Sequence, residues 1–197
     1  MLALAGLVGL CGFFFWRLLT PVDADQIVIA PGGDFAGQFY NFSVYQANRF
    51  AQGDRIPLWN PYNFGGSPFL ADPQWAVAYP MRWLSLALWS ENWDYRALQW
   101  EFMLHTLLAS WTMYALGRVL SGQVLGGVVS AIVFAYGPYL QGFPVQQLSI
   151  FYSSTWLPLA ILGIHWGSRA VADWRGYLIG GVGMALVSWG ASTDCGL

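Results

Sequence analysis

Two isolated carboxylates, Asp34 and Asp72, stand in a polar stretch over residues 30–80 that also holds Arg49 and Arg55, with Arg82 just beyond it. A carboxylate beside an apolar phase can take a proton from a hydroxyl group. Its hard oxygen atoms also suit Mg²⁺ or Mn²⁺, and an arginine fork pairs with phosphate through parallel hydrogen bonds. Trp59 and Asn60 offer an aromatic face and an amide for a polyhydroxyl ring. Glu101 and His105 lie four residues apart, on one face of a helix, and ionisable groups within an apolar segment are functional candidates by default. Plainer roles are open to the same residues. Asp34, directly after Pro31-Gly32-Gly33, is placed to cap a helix, Asp72 before Pro73 is a common turn opener, and the aromatics from Trp59 to Phe64 suit packing within a loop. Imidazole on a helix also suits axial ligation of haem or a chlorophyll-type pigment.

The elements that must position these groups are apolar. Of 197 residues, 56% are hydrophobic and only 9% charged, where soluble domains carry about 25% charge, so the chain reads as an all-α polytopic membrane protein. Ten acids face eight arginines and no lysine; with no basic tract, nucleic-acid binding is excluded. Cys11 and Cys195 form neither a disulfide framework nor a metal-ligand spacing. Leu2 to Leu19 predicts a first membrane helix with Arg17 near its end. A cleaved leader is disfavoured because no charge precedes Arg17 and Val22-Asp23-Ala24 is a poor cleavage site.

Residues 1–20 thus form the first span, 21–96 a large loop with interfacial helices, and 97–197 about four further spans, all in one membrane domain. In the loop, Phe35, Phe39, Phe42 and Phe50 fall on one helical face suited to a membrane surface. Residues 56–68 hold too many prolines and glycines for regular structure. Trp75 to Trp89 predicts a second interfacial helix. The later spans are Leu98–Leu116, Val124–Leu140, Leu148–Trp166 and Tyr177–Trp189, about five in all with the first, and His165 reads as interfacial. Arg118, Arg169 and Arg175 in the second and fourth loops place those loops in the cytoplasm and the long first loop outside. Small residues at Gly122, Gly126, Gly127 and Ser130, and at Gly176, Gly180, Gly181 and Gly183, permit close helix packing.

The series Pro31-Gly32-Gly33-Asp34-Phe35 with Gln38-Phe39-Tyr40, then Ile56-Pro57-Leu58-Trp59-Asn60-Pro61-Tyr62 with Phe64-Gly65-Gly66, then Pro68-Phe69-Leu70-Ala71-Asp72-Pro73-Gln74, resembles the first external loop of YfhO-like bacterial membrane proteins. Leu104-His105, Met113-Tyr114, Arg118 and Trp156-Leu157-Pro158-Leu159 continue the resemblance. These proteins look like members of the GT-C superfamily of polyprenyl-phosphate-sugar glycosyltransferases. The resemblance implies sugar transfer at the external face of the bacterial inner membrane, by inversion, with Asp34 as base. It leaves Asp72 as an orienting group or metal ligand, and Gln38, Arg49, Arg55, Trp59, Asn60 and Arg82 as substrate contacts. A divalent cation is the one cofactor it suggests, and it accounts for His105 without a pigment. The chain departs from the family at Val145-Gln146-Gln147-Leu148, where a histidine is expected, and over 190–197, where a Gly-His-Pro type motif is expected. Family members are several times longer, so the chain reads as their N-terminal part. A non-catalytic accessory subunit of a respiratory or photosynthetic membrane complex is the other reading, with lipids and other subunits as its partners.

Overall fold

The computed structural model describes residues 2–20, 29, 33–75, 77–142, 147–169 and 174–191. Expectations resting on Pro31-Gly32, Val22-Asp23-Ala24, Val145-Gln146, Cys195 and the 192–197 end lie outside them. The described residues are all-α apart from two strands of two residues each.

Helix α1 (Leu2–Phe14) is apolar along its length and turns Leu7 and Cys11 inward. The helix expected as far as Leu19 ends early. Phe15 leaves α geometry and sets its ring edge-on to Phe102, centroids 6.0 Å apart. Trp16–Leu19 then tighten into a 3-10 turn, which Thr20 Oγ1 closes by donating to the Arg17 carbonyl at 2.9 Å.

A polar cap follows. A π turn, Phe35–Phe39, runs into α2 (Tyr40–Ala51). Asp34 has helical backbone angles (φ −70°, ψ −27°) and its side chain makes no capping bond, so the expected cap does not form. Nor does the first half of the phenylalanine stripe face outward. Phe35 and Phe39 are buried in the central core, where Tyr95 and Phe102 give Phe35 edge-on partners at 5.6 and 6.4 Å. The 56–68 loop contains a short antiparallel ladder, β1 (Trp59–Asn60) with β2 (Ser67–Pro68), pairing Trp59 with Pro68 and Asn60 with Ser67. The second amphipathic stretch breaks in two. Pro73–Trp75 forms a 3-10 turn, and α3 (Pro80–Trp89) starts at Pro80, because a proline missing its N–H fits the first helical position and not an interior one.

The bundle begins with α4 (Tyr95–Ser121), whose 27 residues span about 40 Å. Asp94 caps it, its Oδ1 accepting from Ala97 N at 2.8 Å, and Gly122 ends it in the left-handed region at φ 70°. Helix α5 (Val124–Tyr136) stops at Gly137-Pro138, and Pro138 opens the one-turn α6 (Pro138–Gln141). Then come α7 (Leu148–Arg169) and α8 (Trp174–Ala191). Pro158 lies inside α7; the nearby Thr155 carbonyl is bonded by Thr112 Oγ1 of α4 at 3.0 Å. Helices α1, α5 and α7 pack on α4, and α8 packs chiefly on α7. That last seam consists of backbone against backbone. A Cβ on Gly163 would lie 2.1 Å from Gly180 N, and one on Gly183 2.6 Å from Ala160 N. The small residues expected to serve packing are thus largely used inside the chain.

Val124–Gln141 and Leu148–Arg169 are long and apolar enough to cross a membrane, and Leu2–Phe14 is apolar but shorter. Helix α4 has the length without the apolarity, because its inward face carries Gln99, Glu101, His105, Thr106 and Ser110.

Candidate functional site

Asn41, Tyr45 and Asn48 recur every three or four residues, so they share one face of α2. That face forms one wall of a cleft of about 710 Å³ in the polar cap. Six carboxamides line the cleft: Gln38, Asn41, Asn48, Asn60, Asn63 and Gln74. Asp72 is the one charged side chain among the lining residues. Gln38 Nε2 donates to Gln74 Oε1, Asp72 Oδ1 accepts from Gln74 N at 2.9 Å, and Asn60 Oδ1 accepts from Tyr62 N at 3.0 Å. Asn48 and Asn63 make no side-chain hydrogen bond to any described residue. Phe42 and Trp75 add aromatic surface, and Tyr62 and Phe64 stand at the rim, 85% and 95% exposed. A small core of Phe69, Trp75 and Val77 supports this shape. Two bonds tie α2 to the loop: Tyr45 OH to the Trp59 carbonyl at 2.6 Å, and Gln46 Nε2 to the Val77 carbonyl at 2.9 Å.

A second constellation is buried where the cap meets the bundle. The Arg82 guanidinium, 2% exposed, donates from Nη1 to Ser43 Oγ at 2.7 Å and from Nη2 to Tyr152 OH at 3.3 Å. Its Nη1 also lies 3.3 Å from Glu101 Oε2. That approach is a charge contact alone, since Oε2 has no partner in hydrogen-bonding geometry. Tyr152 OH donates to Glu101 Oε1 at 2.5 Å, and the guanidinium also sits over the Trp93 ring at 5.4 Å. Beside this pair runs a chain of neutral donors. Trp156 Nε1 donates to Tyr79 OH at 2.6 Å, Tyr79 OH lies 2.8 Å from His105 Nε2, and His105 Nδ1 lies 2.7 Å from the Glu101 carbonyl. A carbonyl can only accept, so Nδ1 carries the proton and Nε2 accepts from Tyr79. Burial pushes the Tyr79 hydroxyl well above its usual range, against the opposing pull of the Trp156 N–H.

The expected site residues therefore divide into groups. Asp72, Gln38 and Asn60 line the cleft. Asp34 is exposed one helical turn before Gln38, and its Oδ2 accepts from Gln147 Nε2. Arg49 is paired with Asp54 at 2.5 Å, Arg55 is exposed and does not line the cleft, and Arg82 is buried against Glu101. None of these three arginines reaches the cleft. Trp59 lies outside it too, its ring over Gly66, where an added Cβ would meet Cζ2 at 2.6 Å. Glu101 and His105 do face the bundle interior, but Glu101 bonds Tyr152 of α7 and His105 bonds Tyr79, in the loop just before α3, rather than each other's side chain. Among the described residues no three His, Cys, Asp or Glu side chains gather as metal ligands. Sequence reasoning passed over Asn41 and Asn48, which their spacing on α2 could have flagged. It also passed over Tyr79 and Tyr152, which give no signal within their apolar surroundings. No protein-family model, curated protein or solved structure matches the chain.

Proposed function

We propose that the chain carries the N-terminal part of a GT-C type membrane glycosyltransferase, which moves a sugar from a polyprenyl-phosphate donor to an acceptor hydroxyl at the external face of a bacterial inner membrane. The observation that carries the reading is the cleft of about 710 Å³, amide-lined with a single carboxylate, in a polar cap beside apolar helices. In the reaction, Asp34 accepts the acceptor's hydroxyl proton as the oxygen bonds to the anomeric carbon. The bond from that carbon to phosphate oxygen breaks with inversion, and polyprenyl phosphate leaves with the bonding electrons. The Asp34 carboxylate is suited to this by being exposed and, among the described residues, bonded through Oδ2 to a neutral amide alone. Asp72, inside the cleft, orients the acceptor. With Arg82 and Arg49 engaged in ion pairs, the donor phosphate lies outside the cleft. The five spans and the external first loop belong to the same proposal, with α4 shielded from lipid by α1, α5 and α7.

The test is the Asp34→Asn replacement at the gene's own locus, followed by transfer from a radiolabelled polyprenyl-phosphate sugar in isolated membranes. Turnover should fall at least a hundredfold, in keeping with the contribution of a general base, while the amount of protein in the membrane stays unchanged. Equal turnover refutes the assignment.

A further inference from the structure

The rim of the cleft, in the loop joining β1 to β2, holds a backbone conformation unusual for the residue that adopts it. Gly66 N bonds the Asn63 carbonyl at 2.8 Å, closing a turn whose two central residues, Phe64 and Gly65, have φ of 52° and 76°. Positive φ at both central positions is the signature of a type I′ turn, where asparagine, aspartate or glycine ordinarily fills the first. Here that position is a phenylalanine, the only residue besides glycine with positive φ among those described. Its ring packs on nothing, being 95% exposed. The turn keeps its hydrogen bond, but the Phe64 ring gains no contact that would offset the strained φ, and such outliers collect at ligand sites. Tyr62 stands beside it, 85% exposed, and both rings line the cleft that holds the unbonded amides of Asn48 and Asn63.

We infer that this cleft is a binding subsite for an uncharged saccharide, with Phe64 and Tyr62 stacking on a pyranose face at the rim and the amides bonding its hydroxyl groups. A carboxamide both donates and accepts, as a sugar hydroxyl does, so the unbonded amides of Asn48 and Asn63, with the unused donors and acceptors of the other four, match a ring of hydroxyl groups. The electrostatics exclude an anionic sugar: Asp72 is the only charge in the lining and no arginine reaches it, so a uronate or phosphosugar would bring a second negative charge with no cation to pair with. The assignment of this ring as the acceptor rests on the transferase reading; its binding does not.

The experiment titrates the full chain in nanodiscs with mannotriose, cellotriose and triacetylchitotriose, and with trigalacturonate as the anionic counterpart, following calorimetry and tryptophan emission. Saturable binding of a neutral trisaccharide is expected, with trigalacturonate at least tenfold weaker. Phe64→Ala and Tyr62→Ala should each weaken binding about three- to tenfold, the contribution of one stacked aromatic. Phe64→Gly separates site from fold: it relieves the strained φ and should raise the denaturant midpoint while weakening the sugar. The inference is overturned if no neutral trisaccharide binds, if trigalacturonate binds as well as the neutral sugars, or if Phe64→Gly leaves binding intact. It is overturned equally if the two rings turn out to insert into lipid, read as ring-dependent binding to neutral vesicles with no sugar response. Transfer that needs Asp34 without sugar binding in the cleft would remove this inference and leave the transferase reading; sugar binding with transfer unaffected by Asp34→Asn would do the reverse.

Discussion

Replacing Arg82 with methionine isolates the energetics of the buried ion pair. At 3.3 Å and an effective dielectric of about 20, the attraction between the two charges is about 5 kcal/mol. It offsets a desolvation cost of several kcal/mol for each buried ion. Arg82→Met leaves the Glu101 carboxylate 1% exposed with Tyr152 as its one donor, and should destabilise the protein by about 3–5 kcal/mol. The double variant Arg82→Met/Glu101→Leu removes both charges and both desolvation costs, so it should lie within about 1 kcal/mol of the parent. The assay is denaturant unfolding of the parent, both single variants and the double in detergent micelles, read as a double-mutant cycle. A coupling of about 3 kcal/mol or more is expected. A buried, mutually dependent ion pair is ruled out if the single variant stays within about 1 kcal/mol of the parent, or if the double variant is no more stable than Arg82→Met.

Other outcomes follow from neighbouring features. Gly163→Ala places a methyl group 2.1 Å from the Gly180 backbone and should cost about 1–3 kcal/mol by forcing α7 and α8 apart. Gly181→Ala, with nothing within 4 Å of the new Cβ, should be neutral or stabilising by up to about 1 kcal/mol; the two melting temperatures should separate in that order. Asp94→Ala removes the bond to Ala97 N and should cost about 1 kcal/mol, seen as faster amide exchange in the first turn of α4. Because burial raises the Tyr79 pKa in the folded protein, its contribution is fully present below the unfolded value of about 10. It is lost as pH climbs from there through the folded value, since the unfolded chain ionises first. Tyr79→Phe should therefore flatten the decline in stability above pH 10, and an unchanged slope would contradict the assignment.

Much of the bundle was legible because helix periodicity and glycine or proline punctuation act locally. The four-residue spacing of Glu101 and His105 puts both on the inward face of α4, whereas the ends differ: the span expected to stop at Leu116 continues to Ser121 and Gly122, and the one expected to run on to Leu140 stops at Tyr136, before Gly137-Pro138. The sequence does not show which side chain of another helix meets that face. Arginine suits phosphate, so Arg82 reads as a phosphate contact; it is buried because Ser43, Tyr152 and Glu101, from three separate helices, converge on it. The cleft was half legible. Asp72, Gln38 and Asn60 stood in the loop motifs, but the Gly65-Gly66 pair announces a turn without giving its register, so the positive φ of Phe64 was invisible. Of the two roles open to Trp59, the structure shows packing within the loop, on the bare backbone of Gly66.

The Glu101 carboxylate also sets a schedule for biosynthesis. Its cation, Arg82, precedes it in the chain, but its hydroxyl donor Tyr152 follows 51 residues later. At about 5–20 residues per second, the ribosome delivers that donor some 3–10 s after Glu101 has emerged. For that interval the acid has only Arg82 as a partner, and a buried charge left unpaired costs about 3–5 kcal/mol. The polar cap carries Arg82, the one partner made before α7, so docking of the cap on α4 escorts this helix until the rest of the bundle surrounds it.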